Sequence, residues 1–442
     1  MAEIARPGST SAFRPASLDA VNFLLADVRG AVGPYLNVFL VTQQHWSQSA
    51  VGLVTTLDGL LGLILQTPIG AAIDSTRAKR GIIVAALAAI AISAATIAAA
   101  PSFWPVLMAN SLMAIAGNVL GPAVAAITLG LFRPQDLARR LGRNSAFDHA
   151  GNVAIAVVAG AVGWALGQRS VFLLVPFFAA LAAAAVLSIP AGSIDHQRAR
   201  GAEPGQGAAQ KVSGWTVLIE CRPLLVFACC AMLFHFANAP LLPLVGQKLA
   251  LANPQYATAM MSSCIIAAQL VMLPIALFVG RTADRLGRKP ILLVGFAILP
   301  IRAVLYTLSD DSAWLVAVQL LDGIGAGIFG ALTPLLLADL MRGTGRYNLA
   351  QGAIATAQGI GASSSGLVAG IIVDHLGYSA AFLTAGGMAS VALTLLVIAM
   401  PETAPTAADR VVGLVDLKTA NAVSPNRPPQ APSLADSVIE SR

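Results

Sequence analysis

The sequence predicts an all-α integral membrane protein with twelve transmembrane helices in two pseudo-symmetric six-helix bundles. Long apolar segments, a one-sided distribution of basic residues and an internal repeat predict this fold. Hydrophobic residues make up 57% of the 442-residue chain and charged residues only 11%, whereas a soluble domain carries about 25% charged residues. A spanning helix needs about 20 apolar residues, and the chain has room for a dozen such helices with short connectors.

The basic residues indicate the orientation of the chain. All but four of the 27 Lys and Arg residues lie in the two tails and in alternate connectors. Cytoplasmic connectors carry such an excess, so we expect a multi-pass protein of the cell membrane with both termini in the cytoplasm. In a Gram-negative bacterium this would be the inner membrane. The net charge of +6 therefore reflects topology in a lipid bilayer and not nucleic-acid binding, and we expect the protein to function as a monomer.

An internal repeat predicts the division into two halves. A shift of 210 residues superposes Gly70 on Gly280, Asp74 on Asp284, Gly117 on Gly327, Gly160 on Gly370 and Gly167 on Gly377. Five coincidences at one offset indicate common descent of two helical bundles. We therefore expect a cytoplasmic tail (1–16), an N-terminal six-helix bundle (17–190), a cytoplasmic linker (191–221), a C-terminal six-helix bundle (222–400) and a disordered cytoplasmic tail (401–442).

The predicted spans differ in polarity. The first, residues 17–41, carries Asn22, Asp27 and Arg29, which a helix facing only lipid would not carry. We expect this helix to line a polar cavity. The third span is free of charge and is expected to face lipid. The cysteines lie in or beside apolar runs without zinc spacing, so we expect no metal site.

Two connectors carry the most specific pattern in the chain. Residues 280–289 read GRTADRLGRK, between two long apolar segments. Gly280 allows close backbone approach, Asp284 can face a helix N-terminus, and the basic side chains can stay at the lipid headgroups. The first-half connector keeps Gly70 and Asp74 but departs from the pattern at other positions.

Read as G-x-x-x-D-R-x-G-R-K/R, the second connector resembles the cytoplasmic loop signature of the major facilitator superfamily. Its motif positions are Gly280, Asp284, Arg285, Gly287, Arg288 and Lys289, which we predict to form a gating motif together with Gly70 and Asp74. The resemblance covers about residues 17–400. It implies a secondary transporter that works by alternating access. We expect a small-molecule substrate, protons as coupling ions and no cofactor.

In that family the first, fourth, seventh and tenth helices line the central cavity. The candidates for hydrogen bonds to substrate on these helices are Asn22, Asn110, Asn118, Asn238 and Thr333. Asn110 stands where the family carries an arginine, and the fifth span lacks the family's antiporter signature. We predict proton-coupled export of a drug or metabolite. Because the antiporter signature is missing, proton-symport uptake is the alternative.

The charges embedded in the spans offer candidates for proton coupling. Asp27, Arg29, Asp58, Arg302 and Asp322 lie away from the span ends, where a charge costs about 2.5–3.5 kcal/mol on insertion scales. Arg29 and Asp58 lie at similar depths, as do Arg302 and Asp322, so static charge pairing is one interpretation. The other is that a surplus carboxylate carries the proton: Asp27 first, then Asp322, with Asp58 and His235 as further candidates.

A membrane-embedded enzyme or a non-transporting receptor is the alternative from another class. The sequence contains no H-E-x-x-H, no G-x-S-x-G and no phosphate-binding loop, which argues against an enzyme. The stretch 325–330 fits G-x-G-x-x-G, but it lies inside an apolar helix, where small residues allow helices to pack closely. We therefore predict a protein that is not an enzyme.

Overall fold

The computed structural model describes residues 15–30, 32–196, 199, 220–342, 344 and 346–404. These residues form α-helices joined by short turns, with no strand among them. The helices are α1 (Pro15–Gly30), α2 (Val32–Thr42), α3 (Gln48–Ser75), α4 (Lys79–Ala99), α5 (Phe103–Leu131), α6 (Pro134–Leu166), α7 (Val171–Leu187), α8 (Arg222–Asn238), α9 (Leu241–Ala252), α10 (Ala257–Leu286), α11 (Arg288–Leu308), α12 (Ser312–Leu340) and α13 (Tyr347–Ala399).

Within the described residues, ten helical stretches are long and apolar enough to cross a membrane. A chain inside a bilayer must satisfy its backbone hydrogen bonds internally, and helices do so. The all-α membrane fold is therefore confirmed. The last stretch, Leu349–Ala399, has 51 residues, more than twice the length that one crossing needs.

Glycine turns 210 residues apart give the repeat a structural counterpart. Gly167, between α6 and α7, has φ 91° and ψ 158°, and Gly377 interrupts α13 with φ 83° and ψ 172°. A positive φ is a conformation that glycine adopts without steric cost. The two halves thus share a glycine turn at an equivalent position.

Hydrophobic packing follows the same division. One cluster of buried side chains draws on residues 18–199 and a second on residues 224–400. A third, smaller cluster joins the halves and contains Tyr35, Val38, Ala159, Val171, Ala250, Ala257 and Met261. Each half therefore has its own core, and a thin apolar layer connects them.

The alternating direction of the helices defines two ends of the molecule. We call the end with the turns after α3, α5, α10 and α12 the basic end, because these turns carry the basic connectors. The opposite end, with the turns after α2, α4, α6, α9 and α11, is called the distal end.

The start of the predicted linker packs against the first half at the basic end. The backbone N–H of Asp195 donates to the Gly130 carbonyl oxygen over 3.0 Å, and Ile194 and Ala199 are buried there. These residues are thus part of the first core. Residues 201–219 of the predicted linker, residues 1–14 of the predicted N-terminal tail and residues 405–442 of the predicted C-terminal tail lie outside the described residues.

We predict that Gly361→Ala destabilises the second half. A Cβ at Gly361 would meet the carbonyl oxygen of Met232 and, at 3.0 Å, the backbone nitrogen of Phe236. Backbone atoms cannot move aside as a flexible side chain can, and overpacking costs typically about 1–3 kcal/mol. The melting temperature of the purified protein should fall. Gly352→Ala, on the same helix with nothing within 4 Å, is the matched control and should leave it unchanged. Equal melting temperatures for both variants would contradict the prediction.

Candidate functional site

A cavity of about 470 Å³ lies between the two halves, and we call it the central cavity. Its walls come from α3, α5 and α13. It is lined by Asp58, Gly59, Gly62, Leu63, Gln66, Ala114, Gly117, Asn118, Gly121, Pro122, Ala355 and Gly359. Most of these residues are small, which leaves open space between closely spaced helices. The polar groups in the cavity wall belong to Asp58, Gln66 and Asn118.

Asp58 is a buried carboxylate in the wall of this cavity. It accepts a hydrogen bond from Ser111 Oγ at 2.9 Å and another from Asn110 Nδ2. Both donors are neutral groups on α5. Among the described side chains, no basic group forms an ion pair with Asp58. The side chain of Arg29, its predicted partner, lies outside the described residues, so that pairing stays a prediction.

Asn118 is the predicted substrate contact that lines the central cavity. Its Nδ2 donates to the Gly62 carbonyl oxygen over 3.0 Å and so ties α5 to α3. Asn22 donates to the Leu18 carbonyl oxygen at 2.7 Å, and Thr333 donates to that of Phe329 at 2.8 Å. These two side chains bond within their own helices and do not line the cavity.

Arg302 and Asp322 form an ion pair that links α11 to α12. Arg302 is almost fully buried, and its Nη2 also donates to Asn238 Oδ1 at 2.7 Å. Gln319 Nε2 donates to Asp322 Oδ2 at 3.0 Å, and Gln319 accepts from the Tyr306 hydroxyl. The network joins α8, α11 and α12 within the second half. Asp322 and Asn238 are therefore engaged with protein groups.

His235 packs as an aromatic ring. Its Nδ1 lies 2.9 Å from the Ala231 carbonyl oxygen one helical turn earlier. The imidazole makes edge contacts with Phe234 and Phe329, with ring centroids 5.6 and 4.9 Å apart. This geometry is that of a helix-packing imidazole, the alternative to a proton relay. The predicted site residues Asp27 and Asp74 have side chains outside the described residues.

The distal end is closed by two helix crossings related by the 210-residue repeat. At one crossing, a Cβ on Gly370 of α13 would meet the backbone of Gln48 of α3. At the other, the equivalent residues Gly160 of α6 and Thr258 of α10 are joined by a 3.5 Å hydrogen bond. Small residues permit this close approach between the halves.

A carboxylate from the second half secures the first crossing. Asp374 accepts hydrogen bonds from the backbone N–H groups of Gln48 at 2.9 Å and Ser49 at 2.7 Å, and from the Ser49 hydroxyl. Gln48 Nε2 also donates to the Tyr378 hydroxyl at 2.8 Å. A negative charge at a helix N-terminus is favourable. We call Asp374, Gln48, Ser49 and Tyr378 the distal latch.

At the basic end, Arg288 of the predicted gating motif links the turn to the end of α12. Its guanidinium contacts Asp284 at 2.6 Å and Asp339 at 3.0 Å. The Asp284 side chain is 77% exposed, whereas those of Asp339 and Arg288 are only 9% and 5% exposed. Arg342 also contacts Asp339, at 3.2 Å. The motif is therefore anchored within the second half, mainly through Asp339.

Glu402 caps the N-terminus of α11. It accepts hydrogen bonds from the backbone N–H groups of Arg288 at 2.8 Å and Lys289 at 3.1 Å. Burial opposes its ionisation, but the backbone N–H groups of Ala404, Arg288, Lys289 and Thr403 outweigh it and hold the pKa of Glu402 below its ordinary value. Its stabilising contribution is therefore complete above the ordinary pKa and is lost as the pH falls through the lower folded-state pKa.

Several of these residues were not singled out by sequence reasoning. Asp374 lies three residues before the turn at Gly377, and an acidic residue near a helix end is a visible signal. Its partner is a helix N-terminus 326 residues away, which no local pattern identifies. Glu402 was assigned to the tail, and Asp339 to the end of an apolar span, because the Arg288 contacts that give them a role lie 114 and 51 residues away in sequence.

The fold and the site together define a polytopic α-helical membrane protein with a cavity between two related halves. The model of the Major Facilitator Superfamily matches residues 18–275 and 224–421. The chain is 49% identical over 389 residues to an uncharacterized MFS-type transporter of Mycobacterium tuberculosis (strain ATCC 25618 / H37Rv), which covers 88% of this chain and 93% of that protein. The chain belongs to the major facilitator superfamily, a family of transporters and not an enzyme class.

Two solved structures share the fold. A mutant of the nucleoside transporter NupG superposes with a TM-score of 0.72 at 15% identity, over 88% of this chain and 100% of that one. The D-xylose-proton symporter superposes with a TM-score of 0.66 at 15% identity, over 88% and 97%. At this level of sequence identity, the comparison shows a shared fold only.

We predict that Asp374→Asn opens the distal end. The substitution removes the charge that caps α3, and a hydrogen bond to a charged group contributes about 1.5–3 kcal/mol. Spin labels are attached at the exposed positions Gln43 and Leu376 in a variant without the native cysteines. Electron paramagnetic resonance then measures the distance between the two halves. The distance distribution should shift to longer values.

Asp311→Asn is the matched control for this experiment. Asp311 caps α12 by accepting a hydrogen bond from the Trp314 N–H at 2.9 Å, but this contact lies within the second half. Its substitution should leave the distance distribution unchanged. An unchanged distribution in Asp374→Asn would show that the latch does not hold the distal end closed.

We also predict that Asp339→Asn is more destabilising than Asp284→Asn. Loss of the Asp339 charge leaves the buried Arg288 with an exposed partner, at a cost of about 1.5–3 kcal/mol. An exposed carboxylate contributes less than about 1 kcal/mol. Thermal unfolding of the two purified variants measures the difference. A lower melting temperature for Asp284→Asn would show that Asp284, and not Asp339, is the main partner of Arg288.

Proposed function

We propose that this protein is a secondary active transporter that moves a small organic molecule across the cell membrane by alternating access. The central cavity carries the proposal, because it lies between two related halves and has the distal latch on one side. We further propose twelve crossings in two six-helix bundles. The ten apolar stretches are supplemented by α1–α2 as one crossing and by the interruption at Gly377, which divides α13 into two.

We place the basic end and both termini in the cytoplasm, on the basic residues of its connectors. The hydrogen bonds between the halves at Gln48, Thr56 and Tyr35 then lie on the extracellular side of the cavity. The state described here would be inward-facing. Opening the outer side requires separation of α3 from α13 and of α6 from α10, so the latch is one of the contacts that must break in each transport cycle.

Export driven by protons is our proposal for direction and coupling. Asp58 is the carboxylate best suited to the coupling step, because it faces the central cavity and its two hydrogen-bond donors are neutral. Asp322, in contrast, is paired with Arg302. A buried charge in a membrane protein must face water or a partner, and binding a proton at Asp58 removes that requirement. Asp27 remains a further candidate.

The test starts from a deletion strain screened against toxic compounds and metabolites. A solute whose tolerance or accumulation changes is then followed in proteoliposomes. An imposed pH difference should drive solute movement against its gradient, with no covalent change in the solute. Movement of the solute in the same direction as the protons would show proton-symport uptake instead of export. The absence of any protein-dependent movement across the panel would contradict the transporter proposal.

We predict that Asp58→Asn abolishes movement driven by the pH difference but retains solute exchange. Exchange of labelled for unlabelled solute needs the cavity and the conformational change, not net proton transfer. Asp136→Asn, an exposed carboxylate at the basic end, is the control and should retain both activities. If Asp58→Asn still accumulates solute in response to a pH step, Asp58 is not the proton carrier.

A further inference from the structure

A cavity of about 550 Å³ lies at the basic end of the first half, and we call it the basic cavity. Its described walls come from the start of α1, the turn after α5 and the first turns of α6. The residues that line it are Pro15, Phe132, Asp136, Arg139, Arg140 and Arg143. Half of these residues are arginines, so the cavity favours an anionic ligand over a cation.

Two of the three arginines are held in place by one carboxylate from α1. Asp19 Oδ2 accepts a hydrogen bond from Arg143 Nη2 at 2.8 Å, and Asp19 Oδ1 lies 2.8 Å from Arg140 Nη2. Arg140 Nε also donates to Asn144 Oδ1 at 2.8 Å. The Arg140 guanidinium lies 5.3 Å from the centroid of the Phe132 ring. The two guanidinium groups are therefore positioned before any ligand binds.

These contacts leave positive charge and hydrogen-bond donors for a ligand. A guanidinium has more N–H donors than the contacts above use, and the Nη1 atoms of Arg140 and Arg143 make no hydrogen bond within the described part of the chain. Two arginines share the single charge of Asp19, so one positive charge is in surplus. The Arg139 side chain is 90% exposed and lies 3.9 Å from Asp136, a pairing weak enough for Arg139 to turn toward a ligand.

The internal repeat indicates that the helix packing does not need these charges. At the equivalent positions of the second half, uncharged side chains replace the charged cluster. They are Leu349, Ala350 and Ala353 for the three arginines, and Cys229 for Asp19.

The helix crossing is nevertheless the same in both halves. A Cβ at Gly151 of α6 would meet the backbone of Phe23 of α1, and a Cβ at Gly361 of α13 would meet the backbone of Met232 of α8. The charges of the first half are thus an addition to a crossing that forms without them. Burying charged groups costs free energy of desolvation, which a bound anion would offset.

The size and position of the basic cavity favour a phosphate-bearing molecule. A water molecule occupies about 30 Å³ in the liquid, so the cavity has room for a polyatomic anion and for the group that carries it. Planar guanidinium groups match the oxygens of a phosphate with paired hydrogen bonds. Basic pockets between spanning helices at the membrane surface bind phospholipid headgroups. The side chains of Pro15 and Phe132 suit the carbon atoms next to the phosphate.

We propose that the basic cavity binds a phosphate group through Arg139, Arg140 and Arg143. The phosphate is carried by an anionic phospholipid or by a soluble phosphate ester, and the same donors hold it in either case. The basic cavity shares no lining residue with the central cavity. The site is therefore separate from the proposed transport function and does not depend on it.

Binding to the purified full-length protein tests the site. Native mass spectrometry measures the retention of phosphatidylglycerol, with zwitterionic phosphatidylcholine as its counterpart. Equilibrium dialysis measures the binding of radiolabelled glycerol 3-phosphate, with glycerol as the uncharged counterpart. We expect saturable binding of at least one charged probe in preference to its counterpart. The charged probe with the lower dissociation constant identifies the source of the phosphate.

Two variants remove arginines from the cavity. Arg143→Gln should weaken binding of the charged probe about tenfold, the effect of one charge-assisted hydrogen bond. It also loses the bond to Asp19, so its melting temperature without probe should fall. Arg139→Gln changes a side chain that is 90% exposed and should keep the melting temperature of the unmodified protein. It should still weaken binding about twofold to fivefold.

Arg281→Gln is the matched control. Arg281 is an exposed arginine at the basic end of the second half, so its loss lowers the net charge equally without touching the basic cavity. This variant should keep full binding of the charged probe. Arg139→Gln, which leaves the buried charges in place, decides the question if Arg143→Gln does not fold.

Two results would overturn the proposal. The first is that neither charged probe binds in preference to its counterpart. The second is that Arg139→Gln binds the charged probe as tightly as Arg281→Gln does. In either case the arginines serve only to join α1 to α6 and to supply the positive charge of the connector.

Discussion

The close approach of α3 and α13 is the contact on which the rest of the site depends. Glycines at the crossing, such as Gly52 and Gly366, allow the backbones of the two halves to touch. This contact brings the N-terminus of α3 within reach of Asp374. It also divides the space between the halves into the central cavity and a smaller cavity of about 210 Å³ on its distal side. A larger residue at either glycine would separate the helices, and the latch and both cavities would change together.

The charges embedded in the two halves have different surroundings. In the second half, Arg302 and Asp322 pair inside a network of neutral hydrogen-bonding groups, so both charges are compensated locally. In the first half, Asp58 is held by neutral donors at the wall of the central cavity. A paired charge is stable in one protonation state, whereas a carboxylate between neutral donors and open space can change its state. The two halves share a fold and differ in the chemistry available to them.

The two ends of the molecule are also built differently. The distal end is closed by contacts between the halves, which must separate if the cavity is to open there. At the basic end, Arg288 is held by Asp284 and Asp339, and Glu402 caps the following helix. These contacts lie within the second half, so the motif turn can move as one piece with its bundle. Rigid halves with breakable contacts at one end are what alternating access requires.

The sequence by itself determined the membrane class, the family and the twofold repeat, because these depend on hydropathy, charge placement and short motifs that a single chain displays. It also determined that Arg302 and Asp322 lie at one depth, which follows from counting residues along neighbouring helices. Only the tertiary structure decided which polar residues line a cavity. Asn22 and Thr333 bond within their own helices, whereas Asn37 and Gln247 line one cavity between the halves, because the rotation of a helix about its axis is decided by its packing partners.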